Sequence, residues 1–326
     1  MDKISKGKNS VLKLISIREM GVAVPLVIAI LFFGLQNYTF FGAENVMNML
    51  RVSSFTFITA IGMAYLITSG GLDLSIGAVY AFAGTICGLL MTVNVPIWLA
   101  ILTACVGGAL IGVLNGAFVQ MVNLPPFIAT MSSMYIVRGL VLGIRRGEPI
   151  YPLPDAFNSI GQKNMMQIGA FQIPYVVVIA VVLGIIAAFA LKYTTYGRMI
   201  FAVGGNVETS RLAGIPVRKI RFSAYVMTGV LASLTGILMT ARMGSAQPNV
   251  GTGFEMQVIA ACVIGGVSLN GGAGSILGAL LGSVFMAMIT NGMTMIKVSA
   301  YWQQLVMGIV LVLACSLDQL RLRLKR

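Results

Sequence analysis

Long uninterrupted apolar runs are the feature of this sequence that most restricts its fold. A transmembrane helix needs about 20 consecutive apolar residues, and lipid offers no hydrogen-bond partners to an open, irregular backbone. The run at residues 174–191 contains no charged residue. Runs of the same kind recur along the chain, at about residues 21–35, 53–68, 78–92, 95–122, 127–144, 223–241, 254–267, 273–293 and 300–317. We therefore predict an all-α, polytopic integral membrane protein, a single domain over residues 1–326 with about ten transmembrane helices.

The positions of the charges support this class and predict an orientation. A net charge of +13 could indicate nucleic-acid binding. Most of the lysines and arginines, however, lie in residues 1–18, 192–221 and 321–326, and membrane proteins concentrate such charges in cytoplasmic segments. We therefore predict a lipid environment, no nucleic-acid partner, and a cytoplasmic location for the basic N-terminus (1–18), the loop 192–222 and the basic tail (318–326).

Two glycine-rich breaks interrupt the apolar pattern. The first break contains Gly-Gly-Leu-Asp-Leu-Ser-Ile-Gly at residues 70–77, and the second contains Gly-Gly-Val-Ser-Leu-Asn-Gly-Gly at residues 265–272. Corresponding interruptions in two halves of a membrane protein indicate a transport pathway. The breaks also leave the number of spans open at eight to ten, since they need not be true loops. Gly108, Gly112 and Gly116 recur at a spacing that lets helices approach closely.

Charged residues at membrane depth are few. Each costs at least ~2.5 kcal/mol unless it is paired or faces water. Asp73 lies in the first break and Arg138 in the run 127–144, so a pair between them would relieve both. A structural pair or a capping role for Asp73 is favoured over proton transfer. The candidate residues of the translocation pathway are Asp73, Ser75, Asn115, Ser268 and Asn270.

The cytoplasmic loop carries the signals of a short, sharply terminated helix. Asn206 is a natural N-cap, Glu208 lies in the first turn and Arg211 in the last, where the helix dipole favours an anion and a cation. Gly214 and Pro216 end it. A capped helix in this position is well placed to be held by a soluble partner.

Several classes of chemistry have no support in the sequence. The chain has no histidine, and its four cysteines lie separately within apolar runs, so we predict no metal site. The motifs of nucleotide-binding loops and of hydrolase nucleophiles are also absent, so we predict no enzymatic activity and no cofactor in this chain. Energy for transport would come from a partner or from an ion gradient, and the latter would make the chain a secondary transporter.

Three segments of the loop and the two breaks resemble a known family. Gly-Arg at 197–198, Ala-Val-Gly-Gly-Asn at 202–206 and Arg-Leu-Ala-Gly-Ile-Pro at 211–216 resemble the cytoplasmic coupling segment of sugar-type ATP-binding cassette (ABC) importer permeases. This group includes the ribose, xylose, arabinose and autoinducer-2 uptake systems. Residues 70–77 and 263–275 resemble two further signatures of these permeases, so the resemblance covers nearly the whole chain.

The resemblance implies a permease in the bacterial cytoplasmic (inner) membrane, multi-pass, with both termini cytoplasmic. It would form half of a dimeric pore with a second copy or a paralogue. ATP would be bound by partner ATPase subunits, and a periplasmic or other extracytoplasmic sugar-binding protein would deliver the solute. Branched-chain amino-acid permeases share this plan and are the alternative. The residues implied in ATPase coupling are Gly197, Arg198, Gly205, Asn206, Glu208, Arg211, Leu212 and Gly214.

Overall fold

The computed structural model describes residues 20–169 and 171–324. The predicted basic N-terminus, residues 1–18, lies outside these residues. Of the predicted basic tail, residues 318–326, the structure describes the backbone to residue 324 and no side chains.

Helices account for most of the described residues. The described chain forms thirteen α-helices: α1 Met20–Gln36, α2 Ala43–Thr68, α3 Ile76–Thr92, α4 Ile97–Gln120, α5 Pro126–Arg145, α6 Asp155–Gln162, α7 Tyr175–Tyr193, α8 Thr195–Gly205, α9 Val207–Leu212, α10 Val217–Met243, α11 Phe254–Ile264, α12 Ile276–Met295 and α13 Ala300–Leu324. A 3₁₀ turn, Tyr38–Phe41, connects α1 to α2.

Six of these helices are long and apolar enough to cross a membrane, namely α2, α4, α5, α7, α10 and α12. Shorter apolar helices lie in α1, α3, α11 and α13, where the sequence also predicts spans. The all-α polytopic class is therefore confirmed. The ten spans expected are not confirmed, since six helices qualify among the described residues and the glycine-rich breaks adjoin only two of the four shorter ones, α3 and α11.

The core is built around α10, which packs against α2, α3 and α4. The predicted glycine-mediated approach of α4 is confirmed, because a Cβ on Gly112 would lie 2.8 Å from the Cα of Val226 on α10. Helix α2 is buried along most of its length, whereas α4, α5 and α7 expose large apolar side chains. These outer helices therefore present the apolar surface that lipid requires.

The polar connection at residues 145–174 is not a simple loop. It contains α6 and a hairpin in which β1, Asn164–Ile168, pairs antiparallel with β2, Phe171–Pro174. The backbone of Ile150 also pairs with that of Ala246 in the loop after α10. The connection is thereby held against one end of α10.

Candidate functional site

The segment between α7 and α10 folds into two short capped helices. The hydroxyl of Thr194 accepts a hydrogen bond from the backbone N–H of Gly197 at 3.2 Å and caps α8. Asn206 Oδ1 accepts from the N–H of Thr209 at 2.9 Å and caps α9, as predicted. Gly214, with φ +77°, ends α9 in a left-handed conformation that suits glycine. The predicted terminated helix is therefore confirmed, and α8 is an additional element.

Helix α9 presents its charged side chains to solvent. Glu208 and Arg211 form an ion pair of 3.5 Å, with side chains 73% and 58% exposed. An exposed pair of this kind contributes little stability, so both charges remain available to a partner. Leu212, at the end of the same helix, is 84% exposed. Helix α9 thus exposes two charges and one apolar side chain.

An open pocket lies beside α9. Its volume is about 410 Å³, and it is lined by Arg211, Pro216, Val217, Arg218 and Lys219. The three cations face it without a carboxylate among the lining residues. The pocket therefore favours an acidic group.

Helix α8 is fixed to the core by Tyr196. Its ring stacks on that of Tyr65 in α2, with centroids 6.1 Å apart, and its hydroxyl is 2.8 Å from Ser223 Oγ in α10. Burial raises the pKa of Tyr196, while the hydrogen bond to Ser223 acts in the opposite direction. These contacts position the α8–α9 pair against two core helices.

The first break ends α2 and begins α3. Arg221 Nε donates to the backbone carbonyl of Ser69 at 2.9 Å, and the hydroxyl of Tyr225 donates to the carbonyl of Leu72 at 3.2 Å. A cation at the carbonyl end of a helix is favoured by the helix dipole. Sequence reasoning treated Arg221 only as an orientation charge. Nothing local in the sequence indicates its contact with a residue 152 positions away.

Three of the predicted pathway residues form one buried cluster. Asp73 Oδ1 accepts from the N–H of Ser75 at 2.8 Å and from its hydroxyl at 2.7 Å. Asn115 Nδ2 donates to Ser75 Oγ at 2.8 Å and lies 3.3 Å from Asp73 Oδ2. All three residues are almost completely buried. Asp73 thus secures the backbone just before α3, but it does not cap the helix as predicted, because the N-cap is Ser75 and no N–H of the helix itself bonds to a capping side chain.

The pair suggested between Asp73 and Arg138 does not form. The guanidinium of Arg138 donates instead to the carbonyls of Pro248 and Val250, at 2.9 and 2.8 Å, and to that of Gly77 at 3.1 Å. Backbone carbonyls satisfy the cation here in place of the carboxylate.

The other two predicted pathway residues lie in a different segment. Ser268 is buried and Asn270 exposed, and both belong to the loop between α11 and α12. In the structure, one cluster therefore contains Asp73, Ser75 and Asn115. Ser268 and Asn270 do not belong to that cluster. The described residues include no group of three His, Cys, Asp or Glu that could hold a metal ion.

The second glycine-rich break meets the end of α2 beside the end of α8. The backbone N–H of Gly272 donates to the carbonyl of Thr68, the last residue of α2, at 2.8 Å. Gly204 lies against both of these residues. The loop segment 197–216 and the signature at 263–275 are therefore in contact with each other and with the end of α2, although they lie far apart in the sequence.

Three known permease proteins are similar to this chain over nearly its full length. The ribose import permease protein of Haemophilus influenzae is 34% identical, covering 90% of this chain and 91% of its own length. The galactose/methyl galactoside import permease protein of Escherichia coli is 33% identical, covering 95% and 96%. The xylose transport system permease protein of Haemophilus influenzae is 28% identical, covering 94% and 97%.

No solved structure matches the chain significantly. A family model described as branched-chain amino acid transport system / permease component matches residues 45–315, which include both glycine-rich breaks and the whole α8–α9 segment. With this match and with similarity to import permeases over nearly its full length, the chain belongs to this family of transport-system permease components.

Proposed function

We propose that this chain is the transmembrane permease subunit of an ABC importer that moves a sugar or sugar-like solute across the bacterial cytoplasmic membrane. The full-length similarity to relatives named for ribose, galactose and xylose import carries the proposal. The proposed solute class, a sugar or sugar-like molecule, is taken from the solutes in the names of these relatives.

The α8–α9 segment is the proposed seat of the ATPase. The ion pair of Glu208 and Arg211 and the apolar Leu212 are exposed on a helix fixed at its start by Asn206. A rigid capped helix transmits the displacement of a bound subunit, whereas a flexible loop would absorb it. The basic pocket beside α9 would receive an acidic side chain of the same partner. ATP is bound by the partner and not by this chain.

Ten membrane crossings account for the arrangement of the helices. The six long helices and the shorter α1, α3, α11 and α13 then alternate in direction, which puts both termini and the loop 192–222 in the cytoplasm. The contact of Thr68 with Gly272 supports this count, because the end of α2 and the α11–α12 loop then lie on the same, cytoplasmic side. The pairing of Ile150 with Ala246 would lie on the opposite side, where a solute-binding protein delivers its cargo.

Uptake by reconstituted complexes tests the proposal. The chain would be co-expressed with a candidate ABC ATPase and placed in liposomes with a candidate sugar-binding protein. Labelled ribose, xylose, galactose and leucine would then be compared. ATP-dependent uptake of one of the sugars is expected. A double variant, Glu208→Ala with Arg211→Ala, should insert normally but lose most of the bound ATPase.

Two results of the uptake experiment would assign a different function to the chain. The description of the family model favours branched-chain amino acids as the second candidate, and ATP-dependent uptake of leucine without sugar uptake would establish it. Uptake by the chain alone, driven by an ion gradient, would identify a secondary transporter. In that case Asp73 would be the first residue to test for ion coupling, since it is a buried carboxylate.

A further inference from the structure

The end of α8 contacts two other backbones with no side chain between them. Gly204 lies in the last turn of α8, Thr68 ends α2, and Gly272 belongs to the loop between α11 and α12. The N–H of Gly272 donates to the carbonyl of Thr68 at 2.8 Å. This bond satisfies one of the carbonyls that the end of a helix leaves without an intrahelical partner. We call these three residues the backbone junction.

Gly204 is required for the close approach. A Cβ at position 204 would overlap the carbonyl oxygen of Thr68 and would lie 2.5 Å from the nitrogen of Gly272. Both obstacles are backbone atoms, so no rotation of a side chain can make room. From the other side, a Cβ on Gly272 would lie 2.7 Å from the Cα of Gly205, and Gly272 itself has φ +70°. Position 204 therefore needs glycine because a Cβ would meet backbone atoms. Position 272 needs glycine for the same reason and because its φ is positive.

The junction lies between the proposed ATPase seat and the membrane helices. On one side α8 leads through Asn206 directly into α9. On the other side Thr68 ends the most deeply buried helix, α2, and the loop of Gly272 leads from α11 into α12. Tyr196 adds a second attachment of α8, to Tyr65 of α2. A displacement of α9 thus reaches α2 and the α11–α12 loop through atoms already in van der Waals contact.

We propose that Gly204 is a positioning residue for transport, through which movement of the ATPase seat is transmitted to the ends of α2 and of the α11–α12 loop as one rigid body. The inference rests on the proposed function, because it assumes an ATPase on α9. To that function the inference adds the place where the membrane helices receive the movement of the ATPase seat, namely the backbone junction. At the end of α8 that place is a backbone contact, and the stacking of Tyr196 on Tyr65 is a second attachment nearer the start of α8.

Gly204→Ala tests the junction. ATP-dependent uptake should fall about tenfold or more, as expected when a coupling free energy between sites is lost. The ATPase should still co-purify in normal amount, because α9 and its exposed charges are unchanged. A matched control is Gly143→Ala on α5, also a helical glycine, where a Cβ would meet nothing within 4 Å. The control should retain uptake within about twofold. Normal uptake by Gly204→Ala would overturn the proposal.

A distance measurement keeps the test valid if Gly204→Ala folds poorly. Spin labels would be attached to Thr195→Cys on α8 and Asn270→Cys in the α11–α12 loop, both exposed positions, in a chain whose four native cysteines are replaced. Their separation should stay the same between ATP-bound and nucleotide-free complexes. The separation between Thr195→Cys and Tyr151→Cys, at the far end of the fold, should change. A comparable change in the first distance would overturn the rigid junction.

The two proposals fail in different ways. If the wild-type complex imports solute with ATP but Gly204→Ala matches it, only the junction is wrong. If the wild-type chain retains no ATPase and shows no ATP-dependent uptake, the proposed function is wrong and the junction falls with it.

Discussion

The carboxylate of Asp73 is buried, and its hydrogen-bond partners are neutral groups of Ser75 and Asn115. A buried acceptor of this kind is costly to leave without donors, and its donors are equally costly to leave without an acceptor. Asp73 also lies just before α3, where its oxygen accepts from the backbone N–H of the N-cap residue Ser75. Asp73 therefore holds the local backbone in place and also satisfies the polar side chains of Ser75 and Asn115.

Replacing Asp73 should separate the role of the acceptor oxygen from that of the charge. Asp73→Leu removes the acceptor for Ser75 and Asn115 and should lower the free energy of unfolding by about 2–3 kcal/mol. Asp73→Asn keeps one carbonyl oxygen in the same position and should cost about half as much. Unfolding in mixed detergent micelles measures both. Equal losses in the two variants would show that the negative charge, and not the acceptor geometry, is required.

Arg138 acts at the scale of whole elements, because its guanidinium connects three of them. It extends from α5 to two carbonyls of the loop before α11 and to one in the first turn of α3. That loop contains Gly251 and Gly253, both with positive φ, and Gly251 lies against the backbone of Gly77 in α3. The arginine fork matches several acceptors at once, which a lysine ammonium cannot do with the same geometry. Arg138 thereby holds the start of α11 against α3.

Loss of this connection should loosen the start of α11. Arg138→Leu should lower the free energy of unfolding by about 3 kcal/mol, and Arg138→Lys should restore only part of it. A cysteine at Thr252, in the same loop, should react faster with a water-soluble maleimide in both variants than in the Thr252→Cys parent. An unchanged labelling rate in Arg138→Leu would mean that the loop is held without the guanidinium.

The whole molecule separates an apolar outer surface from a core in which large buried side chains pack around close glycine contacts between helices. Helices α4, α5 and α7 expose large apolar side chains, while α2 and α10 lie inside. Lipid does not drive one apolar helix toward another, so close backbone packing has to stabilise the interior. Glycine contacts such as that of Gly112 with α10 supply it. The packing of the helices also determines which helix ends lie together, such as the end of α2 beside the α11–α12 loop.

Ten crossings predict a definite pattern of accessibility. Single cysteines at the exposed positions Tyr38, Tyr151 and Tyr301 should react with an impermeant reagent from outside the cell. Cysteines at Met121 and Leu212, which are also exposed, should react only from the cytoplasmic side. Inverted membrane vesicles provide the reciprocal control. Labelling of Met121→Cys from outside would show that α3, α4 or α5 does not cross as proposed.

Sequence reasoning succeeded where the signals are local. The apolar runs predict the long helices, and Asn206 with Gly214 predicts both ends of α9, since caps act within one turn. Helix α8 was not separated from α9, because three glycines within it weaken any helix prediction. The Asp73 cluster was only partly predicted. Asn115, 42 positions from Asp73, was a candidate for its amide, but its contact is set by the packing of α4 on α3.

Helix α11 has a consequence for biosynthesis. It has 11 residues, so it is only about 16 Å long, against the roughly 30 Å of hydrocarbon that an independently inserted helix spans. The insertion machinery therefore has little to recognise when α11 leaves the ribosome. We expect it to reach its place only after α12, which is long enough to insert, has been synthesised and packs against it. Membrane entry of this region is then completed by helix assembly and not by the hydrophobicity of α11 itself.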